Sequence, residues 1–261
     1  MVAKRGAIVV TGGTGTLGRQ VVRRLLEDEH EVRVLSRHPH PRADRTPREW
    51  AVGDLTTGEG LDAALEGAGV VVHCASAPAK DDRVTTRHLL EAARRGTRPH
   101  LVYISIVGVD RVPLRYYRRK LACERLVEES GLPWTTLRAT QFHDLVAGLT
   151  TAQRLLPVVF TLGGEVRLQP VEVREVGERL AELAVGEPAG RVTDLGGPQI
   201  RTLRELTGLT VRARGWHRPV VPLRLPGKVV GAVRGGGLLT PEHADGRGTF
   251  EEFLAARGAM R

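Results

Sequence analysis

Tyr116 and Lys120 are the two residues of this sequence whose types and spacing best fit proton-transfer chemistry. They lie four positions apart at the start of a helical pattern, so both side chains point along one face of the helix. A lysine ammonium near a phenol favours the phenolate and lowers the phenol pKa from about 10. The tyrosine can then exchange a proton near neutral pH. A Tyr-x-x-x-Lys pair also occurs by chance on solvated helix faces, so its meaning depends on the surrounding elements.

A glycine-rich turn near the start of the chain predicts a binding site for a dinucleotide phosphate. It joins an apolar run at 7–11 to an amphipathic helical pattern at 16–29. Gly12 permits a tight turn, Gly15 lets the backbone approach the pyrophosphate, and Gly18 lets helix and strand pack closely. The anion then lies on free N–H groups at the positive end of the helix dipole. The other residues of this turn that we predict to contact the cofactor are Thr14, Thr16 and Leu17.

Arg37 predicts which dinucleotide binds. It follows Ser36 at the end of the second predicted strand, nineteen residues after Gly18. NAD sites usually carry Asp or Glu at this position, where the carboxylate binds the ribose hydroxyls of the adenosine. An arginine instead offers a fork of donors to a 2′-phosphate, so we expect NADP(H) rather than NAD(H). Arg42 and Arg45 are candidates to reinforce this preference, and the alternative is that Arg37 is one of many surface arginines.

Polar or small residues follow three further predicted strands. Asp54 and Leu55 come after the third strand, where adenine lies in this architecture, and Asp54 is a candidate for the adenine amino group. Alternatively, Asp54 starts a turn or caps the next helix. Ala75 and Ser76 close the fourth strand with small side chains that suit a closely approaching cofactor. Ser105 ends the fifth strand, and ligands of open α/β sheets collect at such ends.

Five strand-like segments alternate with helical patterns through this part of the chain. They occupy residues 7–11, 31–35, 49–52, 70–75 and 101–105. The alternation predicts an α/β fold with a doubly wound parallel sheet and right-handed crossovers. The run at 70–75 is continuously apolar, which indicates a strand buried on both faces. We expect its His73 to be a packed, hydrogen-bonded core residue rather than a catalytic one.

The composition is typical of a globular protein with a basic surface. Hydrophobic residues make up 41% and charged residues 26% of the chain, and the formal net charge is +9. The arginines are dispersed, and no basic stripe carries interleaved aromatic residues. We therefore expect a small-molecule substrate and no nucleic-acid partner.

The two cysteines and the apolar segments limit the class of protein further. Cys74 and Cys123 form no Cys-x-x-Cys pair, which indicates neither a disulfide framework nor a zinc site. No apolar run approaches the roughly 20 residues that span a bilayer, so we expect no membrane partner. The first strand begins too close to Met1 to leave room for a signal peptide. These features predict a cytoplasmic protein.

Together the motifs resemble the short-chain dehydrogenase/reductase superfamily. The resemblance rests on the turn Thr11-Gly-x-x-Gly-x-x-Gly18, on Asp54-Leu55, on the strand that ends at Ser105 and on Tyr116-x-x-x-Lys120. It favours a register of the turn that begins at Gly12, although spacing alone also allows one that begins at Gly13. The segment 138–144 is similar to the atypical, NmrA-like branch of NAD(P)H-binding proteins.

The resemblance implies a Rossmann fold that usually binds NADPH. It implies that Tyr116 donates the proton, assisted by Lys120 and Ser105, and Lys120 is also a candidate for the nicotinamide ribose. Ser105 precedes Tyr116 by only eleven residues, so it is alternatively a residue that lines the cofactor. The residues expected beside the nicotinamide and substrate are Thr140, Phe142 and His143.

Beyond residue 150 the motifs become less specific. The patterns predict a helix at 175–185 and a strand at 191–195, and the resemblance implies that this part forms the substrate pocket. Residues 223–237 are rich in Gly, Pro and Val and are interpreted as a mobile lid or as a packed surface segment. We predict one domain over 1–261, with the Rossmann core in 1–145 and a small C-terminal substrate-binding lobe in 146–261.

Two functions remain open on the sequence alone. The first is an NADPH-dependent oxidoreductase that reduces a carbonyl, an enone or a quinone, with Tyr116 protonating the developing oxyanion. The second is a non-catalytic redox sensor of the NmrA type, in which the bound dinucleotide controls a partner. The retained Tyr116–Lys120 pair favours the reductase.

Overall fold

The computed structural model describes residues 6–40, 48–76, 81–163 and 165–258, so Arg42 and Arg45 lie outside the described residues. The strands are β1 (Ala7–Thr11), β2 (Val32–Ser36), β3 (Glu49–Val52), β4 (Ala68–His73), β5 (His100–Ile106), β6 (Trp134–Ala139), β7 (Val159–Leu162), β8 (Arg167–Leu168), β9 (Gly190–Arg191), β10 (Arg201–Thr202) and β11 (Val220–Leu223). The helices are α1 (Thr16–Glu27), α2 (Leu61–Leu65), α3 (Asp82–Arg95), α4 (Arg115–Glu128), α5 (His143–Thr151), α6 (Val173–Val185), α7 (Leu203–Ala213), α8 (Lys228–Arg234) and α9 (Phe250–Gly258).

Seven strands form one sheet in the order β3-β2-β1-β4-β5-β6-β9. Parallel pairing joins β1 to both β2 and β4, and it also joins β2 to β3, β4 to β5 and β6 to β9. The chain first builds outward from β1 to β3 and then resumes on the other side of β1 with β4. Ligands of doubly wound sheets bind at this switch point, between the first strand and the strand that resumes. The predicted α/β fold with a doubly wound parallel sheet is confirmed.

The central strands are buried because their side chains are apolar on both faces. Every residue of β1 is buried, and Val70, Val71 and Val72 of β4 are at most 1% exposed. Helix α3 covers β4 with the buried side chains of Leu89 and Leu90. Continuous burial of this kind requires helices on both faces of the sheet, as in other parallel α/β proteins.

The predicted strand at 191–195 is shorter than expected. Only Gly190 and Arg191 pair regularly with β6, while Leu195 forms an isolated bridge with Ala139. The amides of Val192 and Leu195 still donate to carbonyls of β6. The segment therefore follows β6 but leaves the regular ladder between these two contacts.

The chain divides into two compact units that alternate along the sequence. Unit 1 comprises residues 1–105, 118–137 and 176–192, and unit 2 comprises 106–117, 138–175 and 193–261. Within unit 1, α6 lies tightly against α1, because a Cβ at Gly177 would stand 2.6 Å from the Cβ of Gln20. The apolar core of unit 1 includes Val9, Val71 and Leu101.

Unit 2 contains two small sheets, in which β7 pairs with β11 and β8 pairs with β10. Gln169 links several of its loops because its buried amide donates to the carbonyls of Gly197 and Thr240 and accepts from the Thr240 amide. The ring of His143 stacks on Phe253 with centroids 5.3 Å apart, and its Nε2 lies 3.1 Å from the carbonyl oxygen of Gly248. These contacts tie α5 and α9 together.

The segment 223–237, interpreted above as a lid or a packed surface segment, contains a regular helix. Residues 228–234 form α8, and the following Gly237 packs closely against Gly108, where a Cβ would stand 1.9 Å from the Gly237 carbonyl oxygen. The end of the segment is therefore a packed part of unit 2. Across the described part of the chain, no helix is long and apolar enough to cross a membrane.

Candidate functional site

The glycine turn after β1 has the geometry that a phosphate-binding turn needs. Gly12 has a φ of +65°, which side chains rarely tolerate, and its carbonyl accepts a 2.9 Å hydrogen bond from the Gly15 amide. Helix α1 begins after Gly15, and no side chain caps it. The amides of its first turn thus lack intrahelical acceptors and are available to an anion.

Gly18 allows α1 to lie directly on the turn. A Cβ at Gly18 would stand 2.2 Å from the carbonyl oxygen of Gly12, and one at Gly15 would stand 3.2 Å from the same oxygen. The approach at Gly18 leaves no room for a side chain, whereas the approach at Gly15 is tight but less restrictive; both are consistent with the register Gly12, Gly15, Gly18. The neighbouring Leu17 is buried, so its side chain packs inward.

The loop after β4 is held against the same turn. The amide of Cys74 donates to the Thr11 carbonyl, and the amide of Ala75 donates to Thr11 Oγ1. Both hydrogen bonds are 3.2 Å long. A Cβ at Gly12 would stand 2.8 Å from the Cα of Ala75. The turn and the loop therefore form two walls with a fixed spacing, set by backbone contacts and by one hydroxyl.

A cavity of about 320 Å³ opens between these walls in unit 1. This volume lies at the lower end of the range for small-molecule sites. The cavity collects residues from the carboxyl ends of β1, β2, β3 and β4 and from the start of α3. Its lining comprises Gly12, Thr14, Gly15, Leu35, Ser36, Arg37, His38, Gly53, Asp54, Leu55, Thr56, Cys74, Ala75, Ser76, Asp82 and Thr85.

At the β2 end, the cavity is lined by a short segment that carries the basic side chain. Arg37 is exposed, and the His38 amide donates to Ser36 Oγ over 3.2 Å. The indole Nε1 of Trp50 on β3 donates to the His38 carbonyl over 2.7 Å. An exposed guanidinium beside a serine hydroxyl can bind a phosphate.

Asp54 lines the cavity and also starts a turn, while its contact with adenine stays a prediction. Its carboxylate accepts a 2.7 Å hydrogen bond from the Thr56 amide. It does not cap α2, whose N-cap residue is Gly60. The neighbouring Leu55 supplies an apolar surface next to it.

Asp82 is a charged cavity residue that the sequence analysis missed. It begins α3, is 4% exposed, and its carboxylate accepts a 2.6 Å hydrogen bond from Ser76 Oγ. Two aspartates in front of an apolar helical pattern are a common signal of a helix start, and that signal would have placed Asp82 beside the strand ends. The other lining residues missed were Leu35, His38, Gly53, Thr56, Cys74 and Thr85.

His73 is a buried, hydrogen-bonded core residue, as expected. It is 1% exposed, its Nδ1 lies 2.7 Å from Thr11 Oγ1, and its Nε2 lies 3.4 Å from Thr86 Oγ1. Its ring stacks on Tyr103 with centroids 5.5 Å apart. Burial, with a smaller contribution from the Lys120 charge, lowers the pKa of His73 from 6.5 to about 3.

The low pKa of His73 predicts a loss of stability in mild acid. The unfolded chain protonates this imidazole below pH 6.5, whereas the folded chain keeps it neutral down to about pH 3. The unfolded state therefore binds more protons as the pH falls, and folding loses about 2 kcal/mol between about pH 7.5 and about pH 5. The measurement is urea unfolding of the wild type and His73→Asn at both pH values. We expect their difference in free energy of unfolding to change by that amount, and parallel values would contradict the prediction.

Lys120 is buried and directed at β5. Its ammonium donates to the Ile104 carbonyl over 2.9 Å and lies 4.2 Å from the ring centroid of Tyr103. Burial lowers the pKa of Lys120.

The hydroxyl of Ser105, the residue after Ile104, is buried and has no hydrogen-bond partner among the described residues. A buried hydroxyl in that state costs free energy unless a ligand or water satisfies it.

Tyr116 lies in the first turn of α4 and is half-buried. Its ring is 6.2 Å from that of Tyr117, which is 8% exposed. Burial raises the pKa of Tyr117 to about 12. Tyr116 and Tyr117 are thus adjacent phenols in different surroundings, and only the first has the exposure that a proton donor to a ligand needs. The role of Tyr116 stays a prediction.

Thr140 and Phe142 belong to unit 2, where backbone contacts fix them. The Thr140 hydroxyl donates to the Gln169 carbonyl over 2.5 Å and accepts from the Gly197 amide over 3.3 Å. Phe142 is half-buried and is the N-cap residue of α5. Neither residue is among the lining residues of the unit 1 cavity. The same is true of Thr16, Leu17, Gly18, Ser105 and Lys120. Their contact with a cofactor stays a prediction.

The residues of the cavity fit a dinucleotide. The helix start and glycine cradle suit a pyrophosphate, Ser36 and Arg37 suit a ribose phosphate, and Asp54 suits an adenine amino group. A Cβ would fill the space over Gly12, because it would reach the backbone of Ala75. No group of acidic, cysteine or histidine side chains within the described ranges has an arrangement that would hold a metal ion.

Comparison with known proteins agrees with this geometry. Residues 12–167 match the sequence model of a family described as NAD(P)H-binding. A protein of Streptomyces griseus subsp. griseus named (4-alkanoyl-5-oxo-2,5-dihydrofuran-3-yl)methyl phosphate reductase is 33% identical over 212 residues, covering 80% of this chain and 74% of that protein. The chloroplast protein High Chlorophyll Fluorescence Phenotype 244 of Arabidopsis thaliana is 28% identical over 226 residues, covering 80% of this chain and 56% of its own length.

A solved structure shares the fold along nearly the whole chain. The NADPH-dependent quinone oxidoreductase of Escherichia coli, in complex with NADPH, superposes with a TM-score of 0.82 at 18% identity, covering 96% of this chain and 99% of that chain. At this level of identity the likeness establishes the fold. The names of the Escherichia coli protein and of the Streptomyces protein agree with the prediction of an NAD(P)-linked oxidoreductase.

Proposed function

This chain belongs to the NAD(P)H-binding family of atypical short-chain dehydrogenases/reductases, and we propose that it is an NADPH-dependent reductase of a small carbonyl, enone or quinone. The observation that carries the proposal is the unit 1 cavity, where a glycine turn at a helix start meets an exposed arginine. The reductase names of the Streptomyces and Escherichia relatives support the reaction class.

Bound NADPH would supply the hydride, and the residues of this chain would hold it in place. The amides of the turn at Gly12–Gly15 would bind the pyrophosphate, and Arg37 would bind the 2′-phosphate. Asp54 would accept a hydrogen bond from the adenine amino group. Tyr116 would deliver a proton to the substrate oxygen as negative charge develops there.

The test is a screen of quinones, aldehydes, ketones and enones that follows the loss of NADPH absorbance. Turnover with any one class, and its absence without enzyme, would support the reductase. Isothermal titration with NADPH and NADP⁺ provides the second readout. Tight binding without turnover across the whole panel would instead support a dinucleotide sensor, and no binding of either form would overturn the proposal.

Replacing Arg37 with alanine is expected to change the preference between the two dinucleotides. The charge-assisted contact to the 2′-phosphate exists only with NADPH, so we expect its affinity to fall by about 10- to 100-fold. The affinity for NADH should change by less than about threefold, since NADH has no phosphate at this position.

The matched control is Arg95→Ala, which removes an exposed arginine that pairs with Asp62 elsewhere in unit 1. It has the same effect on net charge and tests long-range attraction of the anionic cofactor. The measurement is the dissociation constants of NADPH and NADH for both variants and the wild type, all at one salt concentration. Equal losses of NADPH and NADH affinity in Arg37→Ala would contradict the NADP(H) preference.

A further inference from the structure

His73 is not among the lining residues of the cavity, yet it contacts Thr11, which joins the two cavity walls. Thr11 is fully buried, and its Oγ1 accepts the Ala75 amide over 3.2 Å while lying 2.7 Å from His73 Nδ1. Ala75 in turn lines the cavity and packs closely against Gly12, where a Cβ would stand 2.8 Å from the Ala75 Cα. His73, Thr11 and Ala75 thus form a continuous line of contacts from the core of the sheet to the lining of the cavity.

The distance between Thr11 Oγ1 and His73 Nδ1 fits either direction of donation, and the other partner of the hydroxyl favours one of them. The lone pair of Thr11 that faces Ala75 accepts the amide proton, so the hydroxyl proton of Thr11 is left to donate. The described residues offer it one acceptor, His73 Nδ1. The neutral imidazole then carries its proton on Nε2, which points to Thr86 Oγ1 at 3.4 Å.

Two features keep the imidazole in this orientation. Its ring stacks on Tyr103, and His73 is 1% exposed. The positive charge of Lys120 acts on the imidazole, and its ammonium lies 4.2 Å from the centroid of the Tyr103 ring. Burial keeps the imidazole neutral, as the lowered pKa of His73 indicates.

We infer that His73 is a positioning residue for dinucleotide binding, because its Nδ1 accepts the Thr11 hydroxyl proton and thereby turns the Thr11 oxygen to the Ala75 amide. The inference rests on the proposed use of the cavity by NADPH. His73 takes no part in proton transfer to the substrate. It sets the spacing between the glycine turn and the loop after β4, the two walls that enclose the pyrophosphate and its neighbouring ribose.

The test compares four substitutions by their dissociation constants for NADPH. His73→Phe keeps a flat ring but removes the acceptor, and we expect about tenfold weaker binding, the effect of one buried hydrogen bond. His73→Asn retains an acceptor near the position of Nδ1 and should bind within about threefold of the wild type. His73→Gln carries its amide one bond further, toward Thr86, and should behave like the phenylalanine variant. Thr86→Val is the matched control and should leave binding within about twofold of the wild type.

A double-mutant cycle separates this role from general support of the fold. If His73 acts through Thr11, then His73→Phe adds no further loss of NADPH affinity in a Thr11→Val background. Losses that add in the double variant, or an unchanged dissociation constant in His73→Phe, would overturn the inference. Should the phenylalanine variant fail to fold, the contrast between Asn and Gln at position 73 decides the same question.

Hydrogen exchange of the Ala75 amide provides a readout without cofactor. We expect faster exchange in His73→Phe and His73→Gln than in the wild type, His73→Asn or Thr86→Val. This result holds even if the wild type binds no NADPH, in which case the proposed function fails and the positioning of Ala75 by His73 stands. Equal exchange rates in all five proteins would overturn the positioning role.

Discussion

Gly18→Ala is expected to weaken NADPH binding by about 100-fold and to lower the free energy of unfolding by about 2–3 kcal/mol. The added Cβ would stand 2.2 Å from the Gly12 carbonyl oxygen and 2.7 Å from the Gly12 carbonyl carbon. Both neighbours are backbone atoms, so relief requires the turn to move away from α1. That movement displaces the amides that would bind the pyrophosphate, which couples the loss of stability to the loss of binding.

The matched control for this prediction is Gly148→Ala in α5. Apart from its chain neighbours and the backbone of its own helix, no atom of the described residues lies within 4 Å of a Cβ built at Gly148, which is in the interior of α5. Alanine there should leave NADPH binding unchanged. It should raise the free energy of unfolding by up to about 1 kcal/mol, because glycine in a helix interior is less stable than alanine. Isothermal titration and urea unfolding of both variants give the comparison. Wild-type NADPH affinity in Gly18→Ala would show that this turn does not hold the phosphate.

The glycine turn could be predicted from the sequence because its geometry is local. Gly12, Gly15 and Gly18 lie within seven consecutive residues, and the strand and helix on either side fix the path of the chain. The spacing of three glycines then determines which backbone atoms approach each other. The same reasoning identified Ser36, Arg37 and the residues after β3 and β4, because the ends of parallel strands meet at one edge of a sheet.

Contacts between distant segments could not be predicted in the same way. The bond between His73 and Thr11 depends on the register of β1 with β4, in which Thr11 lies opposite His73. Register between non-adjacent segments follows from the packing of the whole sheet rather than from local spacing.

Lys120 shows how far spacing within one helix can determine a site. Four residues of separation place Tyr116 and Lys120 along one face of α4, but a lysine has four rotatable side-chain bonds. In the structure its ammonium reaches β5, where it contacts Ile104 and Tyr103. The predicted effect of this ammonium on the pKa of Tyr116 therefore remains a prediction that mutagenesis must test.

Tyr116→Phe is expected to reduce kcat by about 10²- to 10⁴-fold, the usual contribution of a positioned general acid. The substitution removes one hydroxyl and keeps the ring, so the NADPH dissociation constant should stay within about twofold of the wild type. The measurement is steady-state turnover with the best substrate from the screen, together with NADPH titration. Unchanged turnover would rule out Tyr116 as the proton donor.

Tyr117→Phe is the matched control because it deletes the same group from the next residue on the same helix. Tyr117 is 8% exposed, and its burial raises the pKa of the phenol to about 12, so it is a poor proton donor at neutral pH. We expect Tyr117→Phe to retain kcat within about threefold. A large loss in Tyr116→Phe alone would assign the proton to the half-buried phenol, whereas equal losses in both variants would indicate disturbance of α4.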